Sequence, residues 1–266
     1  MNLDERKKIV DNLIDVFLKA GEISLELRNK GLNKETKIDN TPVTNADIEV
    51  NNILINKIKE ITPKIPIVSE ESSENKESKN LKTFCLIDPI DRTSDYINGR
   101  DEFTINAGLI IEKKAELGII NAPAKKRLFY SYSLGSCFEL NKNEKIALNC
   151  KKLSKDNEVN AVSYSNELKP EIIELHKKYK VTSFKKMKSS LKFCVIAAGE
   201  FDLYVAEPRA SEWDIAAGHA ILKNAGGKVS DFDGNEILYG KDNFKNPALI
   251  LKRSENFLWV NRLEQY

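Results

Sequence analysis

Apolar residues recur through the first sixty positions with helical spacing, and polar residues separate them. The apolar positions between residues 4 and 29 lie three or four apart and predict one amphipathic helix, which Gly31 ends. After a polar loop at 33–40, the same spacing predicts a second helix over 44–61. The chain is therefore expected to begin with two helices that each bury one face.

Shorter apolar runs between residues 65 and 140 predict strands. The runs at 65–68 and 84–87 indicate two buried strands, and the wholly polar stretch at 73–82 predicts a surface loop between them. Four later runs predict paired strands at 103–111, 117–120, 127–132 and 136–140. This part of the chain is expected to form a sheet.

Strands and helices alternate in the remainder of the chain. Strands are predicted at 159–163, 201–205, 228–230 and 248–251. Helices are predicted at 170–178, 189–198 and 211–225, with one more at the end of the chain. This alternation predicts layered α/β packing. We place a boundary in the Lys- and Asn-rich stretch 141–158, which divides the chain into an α+β half, 1–150, and an α/β half, 151–266.

Composition narrows the class of protein. The 266 residues are 41% hydrophobic, which suits a globular protein with a full core. The formal net charge of +2 implies neither a nucleic-acid partner nor an anionic membrane surface. The N-terminus lacks the apolar core of a signal peptide, and no run is long enough to span a membrane. We expect a cytoplasmic protein whose four scattered cysteines are buried free thiols.

The first candidate for chemistry follows the apolar run 84–87. Asp88 and Asp91 lie three apart with Pro89 between them, and Thr93 follows. Proline disfavours a helical conformation for the residue before it, so the run reads as a strand entering a turn. Two carboxylates at one turn can share a hard cation such as Mg²⁺. Backbone amides and the Thr93 hydroxyl can then hold an anion beside it.

Three further acids, Asp47, Glu70 and Asp214, are expected at the ends of strands or the starts of helices. Asp47 and Asp214 also fit N-terminal capping boxes. The sequence therefore leaves two interpretations open for each of them, a helix cap and a residue of the functional site. Two Mg²⁺ ions about 4 Å apart can bind the attacking and leaving oxygens of a phosphoryl transfer. The Ile90 carbonyl is a natural additional ligand, and Thr93 can pass a proton to Asp47.

Four motifs in one order resemble those of the inositol-monophosphatase superfamily. They lie at 43–47, 67–72, 88–93 and 213–218. Three more stretches, at 102–106, 189–194 and 211–214, are similar to the 3'(2'),5'-bisphosphate nucleotidase branch. The resemblance implies an alternating αβαβα fold and two or three Mg²⁺ ions. It also implies removal of the 3'-phosphate of 3'-phosphoadenosine 5'-phosphate, a by-product of sulfate assimilation, to give AMP.

The resemblance also assigns roles to residues, and most of the implied metal ligands fall in the half 1–150. The implied metal ligands are Glu70, Asp88, the Ile90 carbonyl, Asp91 and Asp214. The implied catalytic residues are Asp47, Thr93 and Glu70. The implied substrate contacts are Glu70, Ile90, Asp91, Arg92, Thr93, Ser189, Ser190, Lys192 and Asp214, with the Arg92 and Thr93 amides on phosphate.

Arg92 and Lys188 stand where the family usually has glycine. If position 92 needs a positive φ, arginine costs on the order of 1 kcal/mol there. Arg92→Gly is then expected to keep or raise activity, whereas a large loss would show that the arginine binds phosphate.

The alternatives to the nucleotidase are an inositol or sugar-phosphate phosphatase and a weakly active sensor of nucleotide bisphosphates. The sequence leaves open whether the protein forms a homodimer and whether it contacts the inner face of the cell membrane.

Overall fold

A computed structural model describes residues 1–37, 40–72, 74–78, 80–142, 144–150 and 158–254. The helices in these residues are α1 Leu3–Lys30, α2 Asn45–Ile61, α3 Thr93–Ile97, α4 Pro170–Lys178, α5 Leu191–Ala197 and α6 Glu212–Asn224. The strands that precede residue 150 are β1 Lys34–Thr36, β2 Pro42–Thr44, β3 Ile67–Ser69, β4 Phe84–Asp91, β5 Thr104–Ile111, β6 Lys114–Ala122, β7 Arg127–Ser133, β8 Ser136–Asn141 and β9 Glu144–Ala147. The later strands are β10 Val159–Ser163, β11 Val181–Lys186, β12 Leu203–Ala206, β13 Lys228–Ser230 and β14 Leu249–Lys252.

The two N-terminal helices form the first layer. Each begins with a capping box, at Asn2 for α1 and at Thr44 for α2. Their buried faces, with Phe17 and Leu54 fully excluded from solvent, pack on one side of a sheet. In the described residues this sheet has seven strands in the order β3-β4-β5-β6-β7-β8-β9. Burial of this apolar face stabilises the pairing of helices and sheet.

Helices α5 and α6 lie against the opposite face of the same sheet. The approach of α6 is close because the sheet carries glycine where they meet. A Cβ at Gly118 would lie 2.1 Å from the Ala217 carbonyl oxygen, and one at Gly108 would lie 2.8 Å from the Ala216 Cβ. The small residues of α6 therefore pack directly on β5 and β6.

A second sheet covers the other side of α5 and α6. Its order in the described residues is β11-β10-β12-β14-β13, and β10 is parallel to both of its neighbours. Helix α4 covers the outer face of this sheet, where Ile172 packs with Ala161 and Leu203. The layers therefore alternate α-β-α-β-α, which confirms the predicted fold class.

Four strands were not predicted from the sequence. Strand β1 lies in the stretch predicted as a polar loop, and it pairs with β2, which has only three residues. Strands β9 and β11 lie at sheet edges, and β9 falls in the stretch 141–158 that was interpreted as a boundary. β1 and β9 are exposed throughout, and β11 is exposed over most of its length. An exposed strand need not alternate apolar and polar residues, so it lacks the signal on which the prediction depends.

The division at residue 150 stays a prediction. Helix α6, from the later part of the chain, packs on the sheet of the earlier part, and their side chains belong to one hydrophobic cluster. All four cysteines are buried and outside any disulfide among the described residues, as expected. Within the described ranges, no helix is both long and apolar enough to cross a membrane. The predicted terminal helix falls largely on residues 255–266, outside the described residues.

Candidate active site

A β-bulge in β4 brings two aspartates to one face of the sheet. Asp88 pairs with Asn106 of β5, whereas Asp91 pairs with Thr104, so three steps along β4 match two along β5. Residues three apart on a regular strand point to opposite faces. The bulge at Pro89 removes this difference because Asn106 and Thr104 lie on the same face. The predicted strand 84–87 therefore continues to Asp91, and the expected turn is a bulge within the strand.

Glu70, Asp88 and Asp214 form an acidic cluster at the end of this strand. Each offers a carboxylate oxygen, and the three oxygens lie within 4.8 Å of one another. Glu70 follows β3, and its amide donates to the Ile87 carbonyl at 3.0 Å. Both side-chain oxygens of Asp88 are buried and have no hydrogen-bond partner among the described residues. Such orphaned carboxylate oxygens require a cation or a proton.

Burial and the neighbouring negative charges also raise the pKa values of acids in this cluster. Burial raises the pKa of Asp88 well above its ordinary value, and the charges of Glu70, Asp91 and Asp214 raise it further. Burial, followed by the charges of Asp91 and Glu70, raises the pKa of Asp214 to about 8. A divalent cation would stabilise the ionised forms. An all-oxygen donor set of carboxylates fits Mg²⁺, so the residues present suit the metal.

Asp214 serves as both a helix cap and a member of the cluster. The Ser211 amide donates to Asp214 Oδ2 at 2.7 Å at the start of α6. Burial and this hydrogen bond fix the carboxylate at the helix N-terminus, beside Glu70 and Asp88. The two interpretations that the sequence left open for Asp214, a helix cap and a residue of the site, are therefore compatible.

Asp47 likewise caps a helix, α2, and also contacts Thr93 of the site. Its Oδ2 accepts hydrogen bonds from the amide and hydroxyl of Thr44, at 2.7 and 2.6 Å. Its Oδ1 lies 3.0 Å from Thr93 Oγ, which also lies 3.1 Å from the Ile90 carbonyl oxygen. Burial raises the pKa of Asp47, although the Thr44 and Thr93 hydrogen bonds oppose the shift. The structure thus brings Asp47, Thr93 and Ile90 together.

Asp91 is held by the segment that precedes α5. The Ser190 amide donates to Asp91 Oδ2 at 2.5 Å, and the Ser190 hydroxyl lies 2.7 Å from the same oxygen. This hydroxyl also lies 2.6 Å from the Asp214 carbonyl oxygen. A hydroxyl has one proton to donate, so these two acceptors compete for it. Ser190 therefore connects the two aspartates.

Ser189 and Lys192 are positioned less directly. Ser189 is fully buried, and its hydroxyl accepts the Leu191 amide at 3.3 Å. Lys192 donates to the carbonyls of Lys188 and Ser189, each at 2.6 Å. Burial lowers the pKa of Lys192 to about 8. Lys192 lines the cavity described below and Ser189 lies behind its wall, so their contact with a nucleotide stays a prediction.

Arg92 adopts a left-handed conformation, with φ 78° and ψ 49°, immediately before α3. Position 92 therefore has the positive φ on which the expected cost of arginine depends, and this backbone conformation favours glycine. The side chain is not left in solvent: its Nε donates to Asp95 at 3.3 Å, and its guanidinium lies over the Tyr164 ring.

Most of these groups line a cavity of about 510 Å³, whereas Asp47 and Ser189 are not among its described lining residues. The carboxylates among its described lining residues are Glu70, Asp88, Asp91 and Asp214. The cations among them are Lys37, Lys76, Arg92, Lys188, Lys192, Arg209 and Lys245. Positive groups therefore outnumber negative ones, seven to four, although one end is strongly acidic. Such a cavity suits a metal cation together with a polyanionic ligand.

Tyr164 and Arg209 line the cavity but were not among the predicted site residues. Tyr164 follows β10 directly, and Arg209 follows β12 after two intervening residues. Strands β10 and β12 are parallel, and ligands commonly bind beyond the carboxyl ends of such strands. That rule was the signal that could have identified them, but applying it needs the strand order.

Lys37 lies between the paired strands β1 and β2, and its ammonium contacts the acidic cluster. Its Nζ lies 3.1 Å from Glu70 Oε1 and also bonds Glu71. Burial raises the pKa of Glu71 to about 7 even though Lys37 opposes the shift. The ammonium supplies part of the positive charge that this end of the cavity requires.

The model of the inositol monophosphatase family matches residues 5–259, nearly the whole chain. The chain belongs to the inositol monophosphatase family. The superfamily resemblance inferred from the four motifs is confirmed. A curated relative, the 3'(2'),5'-bisphosphate nucleotidase CysQ of Buchnera aphidicola, is 36% identical over 236 residues, which cover 88% of each chain. The nucleotidase CysQ of Escherichia coli K12 is 29% identical over 90% of this chain and 98% of its own.

Solved structures agree with this family membership. The crystal structure of CysQ from Bacteroides thetaiotaomicron has a TM-score of 0.77 and 29% identity, over 94% of this chain and 98% of that one. An inositol monophosphatase/NADP phosphatase complexed with Mg²⁺ and phosphate has a TM-score of 0.75 at 19% identity, over 94% of both chains. The second likeness supports the fold alone.

Proposed function

We propose that this enzyme is a Mg²⁺-dependent 3'(2'),5'-bisphosphate nucleotidase that converts 3'-phosphoadenosine 5'-phosphate to AMP and phosphate. The observation that carries the proposal is the cluster of Glu70, Asp88 and Asp214, in which both buried carboxylate oxygens of Asp88 lack a hydrogen-bond partner among the described residues. The nucleotidase names of the curated relatives support this substrate over inositol phosphates. We place the activity in the cytoplasm, and leave a homodimer and contact with the inner membrane face as predictions.

The chain's own oxygen atoms provide the metal site. Glu70, Asp88, Asp91 and Asp214, with the Ile90 carbonyl, would hold two or three Mg²⁺ ions. Bound Mg²⁺ supplies positive charge for the phosphoryl oxygens and for the attacking water. The Ile90 carbonyl keeps acceptor capacity for this role because it accepts at most one hydrogen bond from Thr93.

Thr93 and Asp47 would manage the proton of the attacking water. The water oxygen forms a bond to phosphorus while its proton passes to Thr93 Oγ, which gives its own proton to Asp47 Oδ1 at 3.0 Å. The bond between phosphorus and the ribose 3'-oxygen breaks, and that oxygen takes up a proton from solvent water and leaves as the 3'-hydroxyl of AMP. Burial raises the pKa of Asp47, which makes it a better base than an exposed aspartate.

The remaining predicted contacts would orient the substrate. The amides of Arg92 and Thr93 face the scissile phosphate in this proposal. Ser190 and Lys192 border the cavity from the α5 side, where the nucleotide would lie. Ser189 would support this wall through the carbonyl that accepts Lys192 Nζ.

Phosphate release from a substrate panel tests the proposal. We expect Mg²⁺-dependent release from 3'-phosphoadenosine 5'-phosphate, with a kcat/KM well above that for inositol 1-phosphate, and loss of release when EDTA removes the metal. Faster turnover of inositol 1-phosphate would favour the inositol phosphatase alternative. Tight nucleotide binding without release from a broad panel of phosphate monoesters would favour the sensor.

A further inference from the structure

Two paired strands of the seven-stranded sheet carry buried side-chain oxygens without a hydrogen-bond partner. They are both carboxylate oxygens of Asp88 on β4 and Oδ1 of Asn106 on β5, and none has a partner among the described residues. Asp88 and Asn106 are direct cross-strand partners, so their side chains share one face and their Cβ atoms lie about 5 Å apart. An orphaned buried amide oxygen costs free energy, as an orphaned carboxylate does. The Asn106 oxygen is therefore available to a group from outside the chain.

The amide nitrogen of Asn106, by contrast, has a partner. Its Nδ2 donates to Ser190 Oγ at 3.3 Å. The same hydroxyl lies 2.7 Å from Asp91 Oδ2 and 2.6 Å from the Asp214 carbonyl oxygen, and both of these atoms are acceptors. A hydroxyl with two acceptors for its one proton still has lone pairs for a donor, and in an amide only the NH₂ group can donate. The Asn106 nitrogen therefore faces Ser190, and the oxygen is directed away from it.

Asn106 begins a chain of hydrogen bonds that ends at a candidate metal ligand. Its Nδ2 donates to Ser190, whose hydroxyl can then give its proton to Asp91 Oδ2. Hydrogen bonds in such a chain polarise one another, and each is stronger in a buried site than in water. The Asn106 side chain is 1% exposed and is not among the described residues that line the cavity. Asn106 therefore acts from beneath the carboxylate end of the cavity and not through contact with the substrate.

The neighbours of Asn106 show that this face of β5 is the floor of the site. Thr104, two residues before Asn106 and on the same face, donates from its hydroxyl to Asp91 Oδ2 at 3.4 Å. The cross-strand neighbour of Asn106 on β6 is Ile120, which is fully buried. An apolar side chain would therefore suit position 106 if packing alone decided it. The polar groups of Asn106 are placed where they serve the carboxylates.

We propose that Asn106 is a positioning residue of the metal centre: it orients Ser190 toward Asp91, and its free oxygen accepts a hydrogen bond from a water molecule that Mg²⁺ retains. This proposal rests on the proposed function and deepens it, because it adds a neutral residue that contacts neither the substrate nor the metal. Mg²⁺ dehydrates reluctantly and usually keeps several waters in a protein site. A neutral amide can hold such a water without adding charge to four crowded carboxylates.

Asn106→Leu removes both functions of the amide with little change in side-chain volume. Outer contacts of this kind typically contribute about 10–100-fold to metal affinity. We therefore expect the Kd for Mg²⁺, measured by calorimetry without nucleotide, to rise by about tenfold or more. In EDTA the variant should melt close to the wild-type Tm, because leucine also removes the orphaned oxygen. If leucine prevents folding, Asn106→Ala takes its place with the same expectation for the Kd.

Asn121→Leu is the matched control. Asn121 is 3% exposed on β6 and pairs with Ile105, so its side chain points to the opposite face of the sheet, where it donates to the Phe17 carbonyl at 2.7 Å. We expect this variant to lower the Tm, because it removes a satisfied buried hydrogen bond, and to leave the Kd for Mg²⁺ unchanged. If the role of Asn106 were purely structural, its variants would give this same result.

Metal binding separates this proposal from the proposed function. If the Asn106 variants kept the wild-type Kd for Mg²⁺ while the wild type hydrolysed 3'-phosphoadenosine 5'-phosphate, the nucleotidase would stand and the role of Asn106 would be rejected. If they lost affinity for Mg²⁺ while the wild type hydrolysed none of this nucleotide, the nucleotidase would be rejected and the positioning role would stand. A wild type that bound no Mg²⁺ would overturn both.

Kinetics give a second readout that a structural role would not change. Because Asn106 does not touch the substrate, saturating Mg²⁺ should restore most of the kcat of Asn106→Leu, with a KM for the nucleotide close to that of the wild type. A raised KM at saturating Mg²⁺ would place Asn106 in the substrate site and would contradict the proposal.

Discussion

The Ser190 amide donates to Asp91 Oδ2 at 2.5 Å, across 99 residues of the chain. The Ser190 hydroxyl lies close to the same oxygen and to the Asp214 carbonyl. Asp91 and Asp214 are both candidate metal ligands, and they lie on either side of the division that was predicted at residue 150. The geometry of the site therefore depends on the short segment that leads into α5.

Ser190→Ala should weaken metal binding while leaving the fold intact. The variant keeps the amide contact but removes the hydroxyl that orients Asp91, and loss of such an outer contact typically costs about 10–100-fold in metal affinity or activity. Activity measured against Mg²⁺ concentration should show a higher requirement. Ser24→Ala, which removes a buried hydroxyl that bonds the Gly21 carbonyl within α1 and does not line the cavity, is the control. An unchanged Mg²⁺ requirement in Ser190→Ala would contradict the assignment.

Asp88→Asn should abolish most turnover and stabilise the metal-free protein. The buried Asp88 carboxylate lacks a partner among the described residues and faces Glu70 and Asp214, so a neutral amide relieves repulsion and can donate to its neighbours. We expect a gain of about 1 kcal/mol in the free energy of unfolding, or about 2–4 °C in Tm, measured in EDTA.

Asp91→Asn is the companion to this test. Asp91 already accepts hydrogen bonds from Ser190, so its replacement should also remove most turnover but without the stabilisation. Near-normal turnover in Asp91→Asn would refute its role as a metal ligand. Lower Tm for Asp88→Asn in EDTA would show that repulsion at Asp88 is not the dominant cost in the metal-free state.

The stabilisation that Mg²⁺ provides should grow with pH. The pKa of Asp214 is raised to about 8 and that of Asp88 well above normal, whereas an unfolded aspartate has a pKa of about 3.9. Between these values the folded state holds more protons than the unfolded state, so these groups make the metal-free protein less stable as pH rises. Mg²⁺ must displace these protons to bind. Thermal melting with Mg²⁺ and with EDTA should give a larger difference in Tm at pH 8 than at pH 6. A larger difference at pH 6 would contradict this linkage.

The layers were predictable because their strands and helices have one or two buried faces. Runs such as 84–87 and 103–111 carry that burial in the sequence, whereas exposed strands such as β1 and β11 do not. The bulge in β4 was not predicted, since it depends on the register with β5 rather than on local residues. Local pattern therefore fixes the type of an element better than its extent.

The residues of the candidate site also differ in how far the sequence could predict them. Asp88 and Asp91 stand out because they end a buried run, and the capping boxes mark Asp47 and Asp214. Tyr164 and Arg209 carry no local signal, because their proximity to Arg92 depends on which strands are neighbours in the second sheet. The carboxylate end of the cavity was therefore predictable from sequence, whereas the cationic end required the fold.

Thr93→Ala should lower kcat with little change in KM. Thr93 Oγ lies 3.0 Å from Asp47 Oδ1, and removal of a proton-transferring group typically costs about 10²–10⁴-fold in rate. Thr93→Ser keeps a hydroxyl and should retain much more activity, which separates proton transfer from loss of the methyl group. Thr62→Ala removes a buried threonine hydroxyl that bonds the Ile58 carbonyl and does not line the cavity, so it measures the effect on stability. If serine and alanine at position 93 reduced kcat equally, the hydroxyl would not carry the proton, and Asp47 would remain only the cap of α2.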